Sequence, residues 1–212
     1  YRQTAKNYSF ALNYYRMNYK NQLVLTGQIN DVGAYNRTNI EKSYRTGIEA
    51  EFALKLNEFV EWAANATYSQ NKIKNFTEYI DNWDTWGQDS VVHKETDISF
   101  SPSVIVGSTL KFKPGKNLSV SFLTKYVGKQ FLDNTSNENR KLDSYMTHDI
   151  RVNYSVKFKP FREIAFTFVV NNVLNKMYQS NGWTYPYTTG GALVNSNAYY
   201  PLFIPKSLLE KE

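Results

Sequence analysis

The sequence predicts an all-β protein: an antiparallel up-and-down meander of about seven strands, forming part of a transmembrane β-barrel. Three observations carry the prediction. Apolar and polar residues alternate with period two over long stretches, aromatic residues close the ends of the apolar rows, and the connections between stretches alternate long and short. Side chains on a strand point alternately to opposite faces, so the alternation defines two-sided strands. Aromatics at both ends of an apolar band are what a lipid-facing strand shows at its two interfaces. Tight turns at one end and long loops at the other are the asymmetry of an outer-membrane meander.

The pattern is clearest from Tyr44 to Tyr68. Tyr44, Thr46, Ile48, Ala50, Phe52, Leu54 and Leu56 fall on one face, while Arg45, Gly47, Glu49, Glu51, Ala53 and Lys55 fall on the other. After a short turn at 57–61, a second row holds Trp62, Ala64, Ala66 and Tyr68 and runs to about Asn71. Before this pair, a first strand runs from Asn7 to about Lys20 with Tyr8, Phe10, Leu12 and Tyr14 on one face. A polar connection follows at Thr26–Asn39, and the Gln-Leu-Val-Leu segment ahead of it extends the strand above the membrane. Lys72–Asp97 reads as another long connection. A fourth strand is expected over Ile98–Lys113, with Phe100, Val104, Val106, Leu110 and Phe112 on one parity and Pro102 near its start, where a missing N–H is tolerated. Pro114 and Gly115 then mark a tight turn. Strand five begins at Leu118 and runs through Tyr126, a polar connection spans Leu132–Asp143, and strand six carries His148, Ile150, Val152, Tyr154, Val156 and Phe158. A turn at Lys159–Glu163 leads to strand seven, Ile164–Asn172.

Composition narrows the class. The chain has 212 residues, 16% of them aromatic, and no cysteine. It therefore has neither a disulfide framework nor a thiolate metal site. Mean hydropathy is −0.55, and no apolar run approaches the roughly 20 residues of a membrane helix; barrel strands need only about 9–11 alternating residues. The net charge of +6 comes from scattered Lys and Arg without a basic run, so a nucleic-acid partner is not expected. No targeting segment precedes Tyr1, which begins mid-pattern, and the chain reads as a piece of a longer product.

Candidate chemistry is concentrated in the long connections. Phe76, Tyr79, Trp83 and Trp86 cluster in one, and Trp183, Tyr185 and Tyr187 in another. Aromatic faces stack on sugar rings and planar ligands, so Trp83, Trp86, Trp183, Tyr185 and Tyr187 are the candidate ligand contacts. Asp81, Asp84, Asp89, Glu95 and Asp97 lack calcium-loop spacing and read as a solvated acidic loop. The two histidines, His93 and His148, are too few and too separated in sequence for a metal site. His148 shares strand parity with Ser144, but no oxyanion hole accompanies the pair, so no catalytic residue is assigned and no cofactor is expected. Arg45, Glu49, Glu51, Lys55, Lys111, Lys125, Asp149, Arg151 and Lys157 share the polar face and are expected to line a wet interior.

Several stretches together resemble a known family. The Arg-x-Gly-Ile-Glu strand (Arg45 to Glu49), the Ser-Pro strand start (Ser101, Pro102) and the Asn-Asn-Val-Leu-Asn-Lys-x-Tyr segment (Asn171 to Tyr178) are similar to the C-terminal barrel of TonB-dependent outer-membrane receptors, particularly those of Bacteroides-type bacteria. The resemblance implies a barrel of about 22 strands, of which this chain supplies the last part. It also implies uptake of a ferric siderophore, haem, cobalamin or glycan, driven by TonB through an N-terminal plug region absent here. The expected surroundings are outer-membrane lipid and a surface lipoprotein partner. Residues 1–198 are assigned to the barrel and 199–212 to an atypical tail, in which Tyr199, Tyr200 and Pro201 are followed by a second proline, Pro205, and a charged end. A soluble β-rich binding module is the alternative from another class, and an outer-membrane barrel enzyme a further one.

Overall fold

A computed structural model of the chain describes residues 1–29 and 35–200. The centre of the expected connection at 26–39, and the tail from Pro201 onward, lie outside the described residues. The strands are β1 (Arg2–Thr4), β2 (Tyr8–Ile29), β3 (Tyr35–Lys55), β4 (Val60–Asn82), β5 (Gly87–Asp97), β6 (Val104–Gly115), β7 (Leu118–Val127), β8 (Gln130–Phe131), β9 (Lys141–Leu142), β10 (Tyr145–Val156), β11 (Ile164–Val170), β12 (Asn181–Thr189) and β13 (Ala192–Tyr200). The main sheet runs in the order β1-β2-β3-β4-β6-β7-β10-β11, every neighbour antiparallel. Apart from the short β1, these are the seven strands of the expected meander. Among the described residues no helix is long and apolar enough to cross a membrane, which says nothing of strands.

Register shows why the alternation in the sequence matters. One rung across the sheet reads Tyr8, Leu54, Trp62, Leu110, Phe122, Ile150 and Val170, and another reads Leu12, Ala50, Ala66, Val106, Tyr126 and Met146. The opposite face carries Ala11, Glu51, Asn65, Gly107, Lys125 and Thr147 on one rung. A slip of one residue between any two strands would mix these faces, so the apolar set fixes the pairing. Nothing among the described residues covers the apolar face: Tyr14 is 66% exposed and Phe168 65%. A soluble sandwich would bury such a face against a second sheet; left bare and ended by aromatics, it is suited to acyl chains. The tightest approach within the wall is at Gly47, where an added Cβ would lie 2.6 Å from the Tyr68 carbonyl oxygen and 2.8 Å from the Tyr15 hydroxyl. Tyr15 pairs with Gly47 across β2 and β3, so its ring takes the space that the Arg45–Glu49 motif leaves open.

The upper half differs from the sequence expectation, because the strands run far past the membrane. The connection expected over Lys72–Asp97 is a hairpin, β4 and β5 paired from Lys72↔Asp97 to Asn82↔Gly87. The connection at 26–39 is likewise mostly strand, belonging to β2 and β3. β3 and β4 part above Lys42↔Lys74, leaving β2–β3 and β4–β5 as two separate arms. At this level inward parity shifts by one. In β4, Ser69, Asn71 and Ile73 are buried below the shift, and Phe76, Glu78 and Ile80 above it. The hinge residues are Asn21 and Asn75, both at φ 55, a left-handed conformation that Asn tolerates better than most side chains. Val24, Ile40, Ile73, Phe76 and Ile98 form a small core beneath the arms. Phe76, expected among ligand-facing aromatics, is instead 1% exposed inside this core.

The expected strand at Ile98–Lys113 also needs correction. It begins as β6 at Val104, and residues 98–103 are irregular, with Phe100 at φ 50 and its N–H donated to the Phe131 carbonyl. β5 and β6 therefore act as one descending strand broken where the inward loop crosses it.

Ala50→Lys, at the middle of the apolar face, is expected to cost about 2–4 kcal/mol, read as loss of the heat-modifiable folded band in detergent. Thr67→Lys, on the opposite face, is expected to leave that band intact.

Candidate ligand-binding site at the long-loop end

Three segments meet above the wall: the β4–β5 arm, the inward loop from Gly128 to Ser144, and the β12–β13 hairpin. The inward loop was expected to be a polar connection, but Leu132, Asp133, Asn134, Arg140 and Leu142 are all buried. Asn134, 0% exposed, is saturated. Its Nδ2 donates to the Leu25 carbonyl at 2.6 Å, its Oδ1 accepts from the Ser99 N–H at 2.8 Å, and its carbonyl accepts from Thr96 Oγ1 at 2.6 Å. One side chain and its own backbone thus join the β2–β3 arm, β5 and the irregular 98–103 segment.

Arg140 joins the rest. Its guanidinium, 1% exposed, bonds Asp133 Oδ2 at 2.8 Å, Glu78 Oε1 at 2.5 Å and Asn195 Oδ1 at 2.5 Å. Glu78 is held in turn by His93 Nε2 at 2.8 Å, and Asp133 accepts from both the N–H and hydroxyl of Thr135. Burial opposes the charge on Arg140, but the bonds and charges of Glu78 and Asp133 outweigh it and raise its pKa above the usual value. None of these four, Glu78, Asp133, Asn134 and Arg140, was singled out by the sequence reading; the only signal was a charged residue between polar ones in a loop expected to be solvated. At the loop's exposed end, Glu138 bonds Lys129, and Lys141 at 2.8 Å. First Lys129 and then Lys141 hold the carboxyl down to about 2.

The two aromatic clusters come together only in part. β12 adds in parallel to the β4 edge that β3 vacates, pairing Tyr187↔Asp81 and Thr188↔Asn82. This brings Trp83 over Tyr187, ring centroids 4.0 Å apart and planes at 15°, with Tyr185 alongside at 5.8 Å from Tyr187. The Trp83 N–H donates to the Thr188 carbonyl at 2.9 Å, and the Tyr185 hydroxyl to Asp81 Oδ2 at 2.5 Å. That bond, with burial second, raises the pKa of Tyr185. Trp183 shares the face of β12 that carries Tyr185 and Tyr187 and is half-buried, while Trp86 stands apart at the arm's tip, 92% exposed at φ 55.

The acidic residues expected to be solvated are each engaged. Asp81 also accepts from Gln88, Asp89 from Asn82, Asp97 pairs with Lys72 at 2.8 Å, Glu95 with Lys74 at 3.9 Å, and Asp84 accepts from two glycine N–H groups. His148 lies on the apolar face, bonded to Thr124 at 2.9 Å and stacked on Phe122; its hydrogen-bond partner is on β7 rather than Ser144.

A wall with a bare apolar face, aromatic ends, tight turns on one side and folded arms on the other is the wall of an outer-membrane β-barrel. The family model for the TonB dependent receptor-like β-barrel matches residues 1–173, and the chain belongs to that family. Membership places these strands in the outer membrane of Gram-negative bacteria. No curated protein matches the chain. Among solved structures it is similar to the siderophore receptor PiuA from Acinetobacter baumannii (TM-score 0.59, 15% identity, 91% of this chain and 24% of that one). It is also similar to the ferric yersiniabactin uptake receptor FyuA from Yersinia pestis (0.57, 16%, 93% and 26%) and to BauA, the ferric preacinetobactin receptor from Acinetobacter baumannii (0.55, 15%, 93% and 27%). At these identities the likeness is one of fold, and the chain spans about a quarter of each receptor's length.

Arg140→Ala leaves two carboxylates buried without their cation and is expected to destabilise the loop by about 3–5 kcal/mol. Amide exchange over 128–142 should then accelerate by at least about a hundredfold while β7 and β10 keep their protection. A carboxyl whose folded pKa is depressed contributes fully above its ordinary value and loses that contribution as pH falls through the folded one. The Glu138 contacts should therefore persist at pH 5 and dissolve only near about 2. Carbon-13 titration of Glu138 checks this, with the midpoint returning towards 4.5 in a Lys129→Ala, Lys141→Ala double variant.

Proposed function

We propose that residues 1–198 are the C-terminal part of the barrel of a Bacteroides-type TonB-dependent receptor that takes up a ligand across the outer membrane, with 199–212 an atypical tail. The observation that carries the uptake reading is the composite aromatic face at the long-loop end, where Trp83, Tyr185 and Tyr187 converge from two hairpins. Such a face takes a ring: the candidate ligand classes are a ferric siderophore, haem, cobalamin or a glycan. Trp183, on the same face of β12, and Trp86, exposed at the arm's tip, are the further contacts in this reading. The three structures named above are described as a siderophore receptor, a ferric yersiniabactin uptake receptor and a ferric preacinetobactin receptor, which supports the first class.

In this reading the polar face with Glu49, Glu51, Lys125 and Asp149 meets the plug region, through which TonB acts, and a surface lipoprotein is a partner at the loop end. The polar wall supports the plug contact, because charged residues there need water or a polar neighbour. The protein acts by binding and transport, not by catalysis.

The test uses the full-length receptor in a host lacking its own copy, supplied in turn with ferric siderophores, haem, cobalamin and oligosaccharides. Uptake of one class should require TonB and fall about tenfold or more in the Trp83→Ala, Tyr187→Ala double variant. Unchanged uptake of all four classes in that variant, or uptake that persists without TonB, would overturn the proposal.

A further inference from the structure

We infer that Asp84 is the positioning residue of the aromatic platform: seated on the N–H groups of Gly190 and Gly191, its carboxylate fixes the β12–β13 tip against the β4–β5 tip and so sets the Trp83–Tyr187 stack. Both N–H groups reach the carboxylate at 2.8 Å, one on each oxygen. Gly190 and Gly191 lie at φ 58 and φ 72. They form the tight turn between β12 and β13, and successive N–H groups of a turn can make a concave cradle for an anion. Glycine is needed there for the backbone and not for room, because nothing lies within 4 Å of where either Cβ would be.

The carboxylate is presented rather than floating. Asn82 Oδ1 accepts from the N–H groups of Asp84 at 3.0 Å and Thr85 at 3.2 Å, which closes the turn that aims Asp84 outward. Hydrogen bonds to an ionised acceptor are roughly twice as strong as neutral ones. The bonds from Gly191 and then Gly190 hold the Asp84 carboxyl below the usual range, so it is ionised at neutral pH. The remaining links between the two tips are few and lie below the glycines: the backbone N–H of Trp83 to the Thr188 carbonyl, the two-residue parallel bridge, and the Tyr185–Asp81 bond, which is also made to a carboxylate. Lower down, the hairpin is tied separately by Arg140 to Asn195 and by Asn197 to the Asn139 carbonyl. Removing the Asp84 contact therefore frees the tip without unseating the hairpin.

The functional meaning of this role rests on the platform being a ligand contact, and the two are tested apart. In the full-length receptor labelled with 5-fluorotryptophan, the Trp83 resonance, assigned by Trp83→Phe, should carry the ring-current displacement of Tyr187. Asp84→Ala should move it to the position it takes in Tyr187→Ala and broaden the distance between spin labels at Ser90 and Leu193. Asp84→Asn keeps one acceptor oxygen but sets its amide NH2 against the second glycine N–H and loses the charge, so it should be displaced towards the Ala position. Gly190→Val, strained at positive φ but free of clash, should reproduce the Asp84→Ala spectrum. An unchanged resonance and distance in Asp84→Ala, or an Asn variant that keeps the full native signal, would overturn the assignment. A displaced resonance with uptake unaltered would uphold the latch and overturn the platform's part in uptake.

Discussion

The loop end depends on the burial of Arg140. A guanidinium removed from water is tolerable only if its charge and donors are met, and here they are met by carboxylates from two segments and an amide from a third. The requirement works in both directions, since Glu78 and Asp133 would be equally costly without the arginine. The inward loop, the β4–β5 arm and the β12–β13 hairpin must therefore be seated together. Asn134 extends the constraint to the β2–β3 arm through the Leu25 carbonyl. Hydrophobic burial at this level is modest: among the described residues Val24, Ile40, Ile73, Phe76 and Ile98 form one small core, and Ile80, Phe131, Leu132 and Leu142 are buried outside it. Specific polar contacts set the shape of the mouth, whereas the apolar face sets the shape of the wall.

That division explains what could be read from the sequence. In the wall, each strand reports its own facing through period two, and the pairing simply aligns faces already defined; the meander, its tight turns and the polar residues on the opposite face were all legible. Above Lys42 and Lys74 the rule fails for a local reason. A single left-handed residue at Asn21 or Asn75 shifts parity, so Phe76 and Ile80 look misplaced and the arm reads as loop. Arg140 and Asn134 were illegible for a different reason: their partners lie 62 and 109 residues away in sequence, at Glu78 and Leu25, and nothing local distinguishes a buried polar loop from a solvated one. The aromatic residues were found by type, but their grouping was not. Trp83 joins Tyr187 because β12 occupies an edge that β3 abandons, a fact of topology and not of composition.

The same arrangement links structure to the proposed transport role. A platform assembled from two hairpin tips, rather than carried on one strand, has a geometry set by the contact between them. Trp83 sits within one residue of the latch at Asp84, and Tyr187 within three of Gly190. The wall below supports both hairpins, and the Asp84 latch on Gly190 and Gly191 fixes how their tips meet.

The shift at Asn21 and Asn75 has a consequence for how such a protein can diversify. Below it, the rows of large apolar side chains point away from the interior; above it, Phe76 and Ile80 point toward it; and the reversal is confined to one level shared by β2 through β5. Everything beyond that level is insulated from the membrane's demand on facing. The protruding arms answer instead to the inward loop, through Asn134 and Arg140, so a change of side chain there is judged by the buried polar contacts and not by lipid.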